Sequence, residues 1–136
     1  MPRFQFPTDL KYAKEASKKV LEALQDLNLK ETVSFDIKLC LEEAFINAAK
    51  HGNQLDSHLT IDIDVVKRPE EIEIIVCDQG KGVDLENLDD PTANEHLTKT
   101  HGRGVFLIKK LMDEVRYVRD KGNCLHMIKK LKGITR

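Results

Sequence analysis

The chain has almost no net charge, few cysteines and no long hydrophobic run. Lys and Arg number 22 against 23 Asp and Glu, a formal net charge of −1. With no overall basic field, direct nucleic-acid binding is not expected. No apolar stretch approaches the ~20 residues of a membrane-spanning helix, so no membrane association is expected either. Lys, Asp and Glu interrupt the N-terminal stretch early, which leaves no signal-peptide core and points to the cytoplasm. The three cysteines, Cys40, Cys77 and Cys124, are odd in number and widely spaced, each inside an apolar pattern. Buried free thiols are expected, rather than a disulfide framework or a zinc site. Internal repeats, low-complexity tracts and linkers are missing too. Residues 1–136 are therefore read as a single domain, long enough for one core.

What is present suits a globular protein, with 40% hydrophobic and 33% charged residues. Phe4 and Phe6 alternate with Arg3 and Gln5, a short strand ended by Pro7. Thr8 is placed to cap a helix. Leu10, Ala13, Ala16, Val20, Leu24 and Leu27 then recur at steps of three and four, predicting an amphipathic helix over 9–27. A second helix is expected from Thr32 or Ser34, with Ile37, Leu41, Ala44, Phe45 and Ala48 inward and Gly52 as its stop. Leu59, Ile61, Ile63 and Val65 alternate with polar residues, and 71–77 read as a partner strand after a turn at Arg68-Pro69. Residues 84–101 have no periodicity, which suggests a lid or binding loop. A third helix is expected from Gly104 to Glu114, with Val105, Ile108, Leu111, Met112 and Val115 inward. The chain then closes on a hairpin around Lys121-Gly122-Asn123. This order predicts an α+β two-layer sandwich, a mixed and mostly antiparallel sheet with helices on one face.

Three stretches carry the chemistry. The first is Glu43-Ala-Phe-Ile-Asn47-Ala-Ala-Lys50-His51-Gly52-Asn53. At ~100° per helical residue, Asn47 lies about 40° and Lys50 about −20° from Glu43. The trio forms a stripe beside the core stripe, as either a solvated helix face or a cleft wall. Glu can take a proton from a hydroxyl, Asn offers a neutral oxygen to Mg²⁺, and Lys can neutralise phosphate. His51 is read as a helix-end histidine near backbone carbonyls. The second stretch is Asp78-Gln-Gly80-Lys-Gly82-Val-Asp84, at the end of the apolar run Ile74-Ile75-Val76. It reads either as a turn or as an acceptor for an exocyclic amine beside glycines that let a ligand approach. The third is His101-Gly102-Arg103-Gly104-Val105, a hinge or an anion site at a helix N-terminus. Basic residues elsewhere have a plainer reading. Lys129, Lys130, Lys132 and Arg136 read as a solvated face, whereas Lys11, Lys14, Lys18 and Lys19 read as a solvated face or a partner surface.

In order and spacing, EEAFINAAKHGN, DQGKGVD and HGRGVFLIKKLMDEV resemble the three boxes of the histidine-kinase-like (GHKL, Bergerat-fold) ATPases. Within these the chain is most similar to the bacterial anti-sigma-factor serine/threonine kinases, over nearly its whole length. The resemblance implies the Bergerat ATP-binding fold with ATP and Mg²⁺ as cofactors. It makes Asn47 the Mg²⁺ ligand and Glu43 the general base. Lys50 would approach the phosphates, Asp78 would bind the adenine amine, and Gly80 and Gly82 would shape the base pocket. Gly102, Arg103, Gly104 and Val105 would present backbone amides to the phosphates, with 84–101 as the ATP lid. The implied partners are a sigma factor, bound by a homodimer, and a STAS-domain antagonist phosphorylated on Ser or Thr. The alternatives are a non-catalytic, ATP-dependent switch and a detached phosphorelay ATPase domain. Only 42 residues precede Glu43, which leaves no room for a phosphoacceptor hairpin and ranks the last reading lower.

Overall fold

The computed structural model describes residues 2–80, 102–119 and 122–135. The alternating segments form five strands: β1 (Arg3–Pro7), β2 (Thr60–Lys67), β3 (Glu71–Asp78), β4 (Glu114–Arg119) and β5 (Asn123–Lys130). They make one sheet in the order β1-β2-β3-β5-β4. Every pairing between these strands is antiparallel, where the sequence suggested a mixed sheet. Register follows the apolar pattern: Ile63 faces Val76 and Val65 faces Ile74. A one-residue slip would turn Ile61, Ile63 and Val65, all fully buried, to the opposite face.

Among the described residues, three α-helices cover one face of the sheet: α1 (Ala13–Ala23), α2 (Glu31–Asn47) and α3 (Gly102–Leu111). Ala13, Ala16 and Val20 of α1 and Ile37, Leu41, Ala44 and Phe45 of α2 are buried. Each large side chain among them contributes about 1.5–3 kcal/mol by leaving water. Phe45 also meets Phe6 edge-on, with ring centroids 5.9 Å apart, which ties α2 to β1.

Local rules move several boundaries. The helix expected over 9–27 is divided: 3-10 turns at Leu10–Tyr12 and Gln25–Leu27 flank α1. Asp9, not Thr8, caps its start by accepting from the Lys11 amide at 3.0 Å. Thr8 is instead buried, donating to the Leu59 carbonyl at 2.7 Å and accepting from Asn53 at 2.8 Å. The second helix starts at Glu31 and continues beyond Asn47 as a wider π-turn over Ala48–Gly52. The third begins at Gly102 and stops at Leu111; Met112 packs into the core just after it, and Val115 lies on β4.

The cysteine expectation is overturned. Cys77 and Cys124 face each other across β3 and β5 with Cα atoms 4.0 Å apart, and they form a disulfide. Their 47-residue separation conceals this pairing until strand register is known. Cys40 remains free and buried, and burial pushes its thiol up to about 11, with nearby Asp36 adding to the effect.

The face of the sheet away from the helices is charged but paired. Arg3 meets Asp64 at 2.7 Å. Glu73, almost fully buried, accepts from Arg68 at 2.8 Å and lies 2.7 Å from His126 Nδ1. Burial raises the Glu73 carboxyl, but His126 and Arg68 outweigh it and leave the group below its ordinary range.

Candidate functional site

A cavity of about 140 Å³ opens between the ends of β3, β4 and β5 and the helices above them. Its helix wall is Ala44, Ala48 and Gly52, small residues four apart on one face of α2 and its π-turn. Val76, Val115 and Leu125 supply an apolar floor, and Val105 and Lys109 of α3 close another side. A concave, mostly apolar slot with a few polar groups is the usual form of a small-molecule site.

Asp78 lines this cavity. It is buried at 7% exposure, yet is the last residue of β3, where the ladder stops. Asn123 Nδ2 donates to its Oδ1 at 2.9 Å, and the Gly80 amide donates to the same oxygen at 3.0 Å. Asn123 Nδ2 also reaches the Gly80 carbonyl at 2.6 Å. Burial pushes the Asp78 carboxyl above its ordinary value, while Asn123 and Gly80 hold it down. Oδ1 is thus committed to the protein, and Oδ2 lies beside Gly52.

Glycines make this corner possible. A Cβ on Gly52 would overlap the Asp78 carboxylate, and one on Gly80 would overlap the Gly52 carbonyl. A Cβ on Gly122 would meet the Asp78 carbonyl. Asn53 secures the same corner from behind: it is buried, its Nδ2 donates to the Thr60 carbonyl at 3.0 Å, and its Oδ1 accepts from the Gln79 amide at 2.8 Å.

Asn47 lines the cavity too. Its amide nitrogen is buried without a hydrogen-bond partner among the described residues. An unmatched buried amide costs about 1–3 kcal/mol, so a group that satisfies it would bind with that advantage. Glu43, one turn earlier, lies beside it: a Cβ on Gly104 would come within 2.8 Å of Glu43 Oε2 and 3.1 Å of Asn47 Nδ2. The backbone of α3 thus packs directly on this pair, and only glycine at 104 permits that distance.

The structure therefore brings Asn47, Asp78 and Val105 to one cavity, with Glu43 and Gly104 packed beside Asn47 and Gly80 behind Asp78. Lys50 is exposed on the π-turn and does not line the cavity. The wider turn departs from the ideal helix that aligned Lys50 with Glu43. Gly82, the 84–101 lid, and the surroundings of Gly102 and Arg103 lie outside the described residues. Sequence reasoning missed Asn123, Tyr117, Lys109 and the Ala44-Ala48-Gly52 wall. The four-residue spacing of small residues was a readable signal for the wall. Asn123, by contrast, joins the site only through its register with Asp78.

These features define a largely apolar slot with a few polar groups on a two-layer α/β scaffold, and the chain can be compared with known proteins. Residues 6–129 match the family model described as "Histidine kinase-like ATPase domain", and the chain belongs to that family. It is 34% identical over 104 residues to a protein of Staphylococcus epidermidis named serine-protein kinase RsbW, covering 71% of this chain and 65% of that one. It is 32% identical over 101 residues to an anti-sigma F factor of Oceanobacillus iheyensis, covering 71% of this chain and 68% of that one. The chain thus spans about two thirds of the length of these relatives. Among solved structures, the catalytic domain of histidine kinase ThkA shares the fold with a TM-score of 0.58 and 15% identity, over 96% of this chain and 97% of that one. The RsbU and RsbW domains of a Mycobacterium tuberculosis protein do so with a TM-score of 0.60 and 13% identity, over 95% of this chain and 32% of that one.

Proposed function

We propose that the chain is an ATP-binding serine/threonine kinase of the anti-sigma-factor type, acting in the cytoplasm. The carrying observation is the polarity of the cavity. Its lining combines a carboxylate acceptor, Asp78, with an unpartnered buried amide nitrogen, that of Asn47, which has Glu43 at its side. Adenine would lie in the slot with its exocyclic amine donating to Asp78 Oδ2. The triphosphate would then run toward Asn47 and the N-terminus of α3, where free backbone amides favour anions.

The donor set fits Mg²⁺ held mainly by phosphates and water. Among the described residues no cluster of three or more His, Cys, Asp or Glu could hold a metal by itself; the Asn47 amide oxygen would be one ligand, while its unpartnered Nδ2 would donate to a phosphate oxygen. Bound Mg²⁺ would neutralise charge developing on the phosphates. Glu43 would accept the proton of a Ser or Thr hydroxyl as its oxygen attacks the γ-phosphorus and ADP leaves. Lys109, on the cavity wall, is the cation placed to meet phosphate. The names of the relatives support a protein serine as phosphoacceptor and a sigma factor as binding partner; a STAS-domain antagonist as the phosphorylated protein and a homodimer as the working form are what the family resemblance implies.

The test is label transfer from γ-labelled ATP with Mg²⁺ to a STAS-domain protein encoded beside this chain. Glu43→Gln is expected to bind ATP and lose transfer, and Asn47→Ala to lose Mg²⁺-dependent binding as well. Transfer that survives both substitutions overturns the roles. Stoichiometric ATP binding without transfer overturns the kinase reading in favour of a nucleotide-dependent switch.

A further inference from the structure

The cysteine pair lies one residue from the cavity. Cys77 precedes Asp78 on β3, Cys124 follows Asn123 on β5, and the two pairs are consecutive rungs of one ladder. Side chains alternate across a sheet, so the cysteines face away from the helices while Asp78 and Asn123 face the cavity. Asp78↔Asn123 is the last rung before both chains leave the sheet, and the ends of ladders fray most readily. The Cys77–Cys124 bond closes the rung behind it. The geometry of the last rung is demanding, because Asn123 Nδ2 must reach both Asp78 Oδ1 and the Gly80 carbonyl while Gly122 packs on the Asp78 carbonyl.

We propose that Cys77 and Cys124 form a thiol–disulfide exchange site whose state sets the affinity of the adjacent cavity for nucleotide. This rests on the nucleotide reading of the cavity. The co-reactants are a low-molecular-weight disulfide in one direction and two equivalents of its thiol in the other. In oxidation, one cysteine thiolate attacks the external disulfide and expels a thiol, leaving a mixed disulfide. The second thiolate then attacks the protein sulfur and expels the other thiol. Two protein thiols are oxidised and one external disulfide is reduced to two thiols. Both cysteines are half-buried on the sheet's outer face, within reach of such a reagent. Cys40 is almost fully buried, and its raised thiol holds little thiolate, so exchange is directed to the pair.

The bonded form holds Asp78 and Asn123 in register and is the tighter binder. Reduction frees the rung and weakens binding. Because linkage is reciprocal, bound nucleotide must favour the disulfide by the same factor.

The experiment is an equilibrium titration of the full chain with Mg²⁺ and a fluorescent ATP analogue, after incubation with oxidised or reduced glutathione. Thiol counts and intact mass are read on the same samples. Oxidised protein is expected to show one free thiol and the loss of two hydrogens, and reduced protein three free thiols. The reduced form is expected to bind about fivefold or more weakly. Saturating nucleotide is expected to raise the glutathione ratio needed for reduction by that same factor. In Cys77→Ala/Cys124→Ala the redox dependence disappears and affinity stays at the reduced value.

Three free thiols after oxidation overturn the proposal. So does a disulfide that forms while nucleotide binding stays unchanged, an outcome that leaves the nucleotide reading intact. No binding in either state overturns both, with the thiol count still reporting the bond.

Discussion

Asp78→Asn separates the site's chemistry from its architecture. Both hydrogen bonds from Asn123 and Gly80 fall on Oδ1, which the amide oxygen of Asn can replace without a change of shape. The substituted amide nitrogen then takes the place of Oδ2 beside Gly52. An acceptor has become a donor, and the adenine amine meets another donor. A hydrogen bond to a charged acceptor contributes about 1.5–3 kcal/mol, so ATP affinity should fall roughly ten- to a hundredfold.

Stability should not follow. Burial raises the folded-state value of Asp78 above its ordinary 3.8. A group shifted in that direction contributes stability below its unfolded value and loses it as pH rises through the folded one. At neutral pH its ionisation therefore costs stability, and the neutral amide removes that cost. The assay is calorimetric titration with ATP and with a 6-oxo purine nucleotide, alongside thermal unfolding at neutral pH. The expected result is weak ATP binding, improved binding of the 6-oxo nucleotide, and a midpoint equal to or above that of the parent. Undiminished ATP affinity in a folded Asp78→Asn protein would refute the acceptor role. In the parent, ATP affinity should also decline on acidification from a pH above the ordinary carboxylate range.

Other perturbations address the scaffold. Gly52→Ala drives a methyl into the Asp78 carboxylate; overpacking of this kind costs about 1–3 kcal/mol, with a matching loss of nucleotide affinity, measurable by urea unfolding and titration. Glu73→Gln removes the charge shared by His126 and Arg68 and should cost about 1–2 kcal/mol at neutral pH, discounted for the exposure of Arg68. Because the Glu73 value is lowered on folding, its contribution is present above the ordinary 4.5 and lost as pH falls through the folded value. The parent should therefore lose its advantage over Glu73→Gln in acid, as read by unfolding at neutral and acidic pH. Reducing the Cys77–Cys124 bond opens a 47-residue loop and should lower stability by up to about 4 kcal/mol, measured by denaturant midpoints with and without a dithiol.

Much of this molecule was legible in its sequence, for identifiable reasons. Leu59, Ile61, Ile63 and Val65 alternate regularly, so β2 and its inward face followed from period alone, whereas the apolar run Ile74-Ile75-Val76 marked β3 as a strand without fixing which face is inward. Ile37, Leu41 and Phe45 fixed α2 in the same way. The boundaries were less legible, because they depend on side-chain choices such as Asp9 rather than Thr8 as the cap. Long-range partners were hidden. Asn123 and Cys124 reach Asp78 and Cys77 only through the register of β3 with β5, which no spacing in the chain encodes. The π-turn at Ala48–Gly52 was hidden too, and it leaves Lys50 exposed, away from the cavity. The deviations cluster at the cavity, where Gly52, Gly80 and Gly104 allow contacts that ordinary side chains forbid.

The central claim is that ATP occupies the slot between Asp78 and Asn47. Amide hydrogen exchange with and without Mg-ATP tests it most directly. Protection is expected in the π-turn after Asn47, around Asp78–Gly80, at the start of β5 and in the first turn of α3, with α1 and β1 unchanged. Protection confined to α1 or to β1, with the Asp78 and Asn47 segments unmoved, would contradict the account.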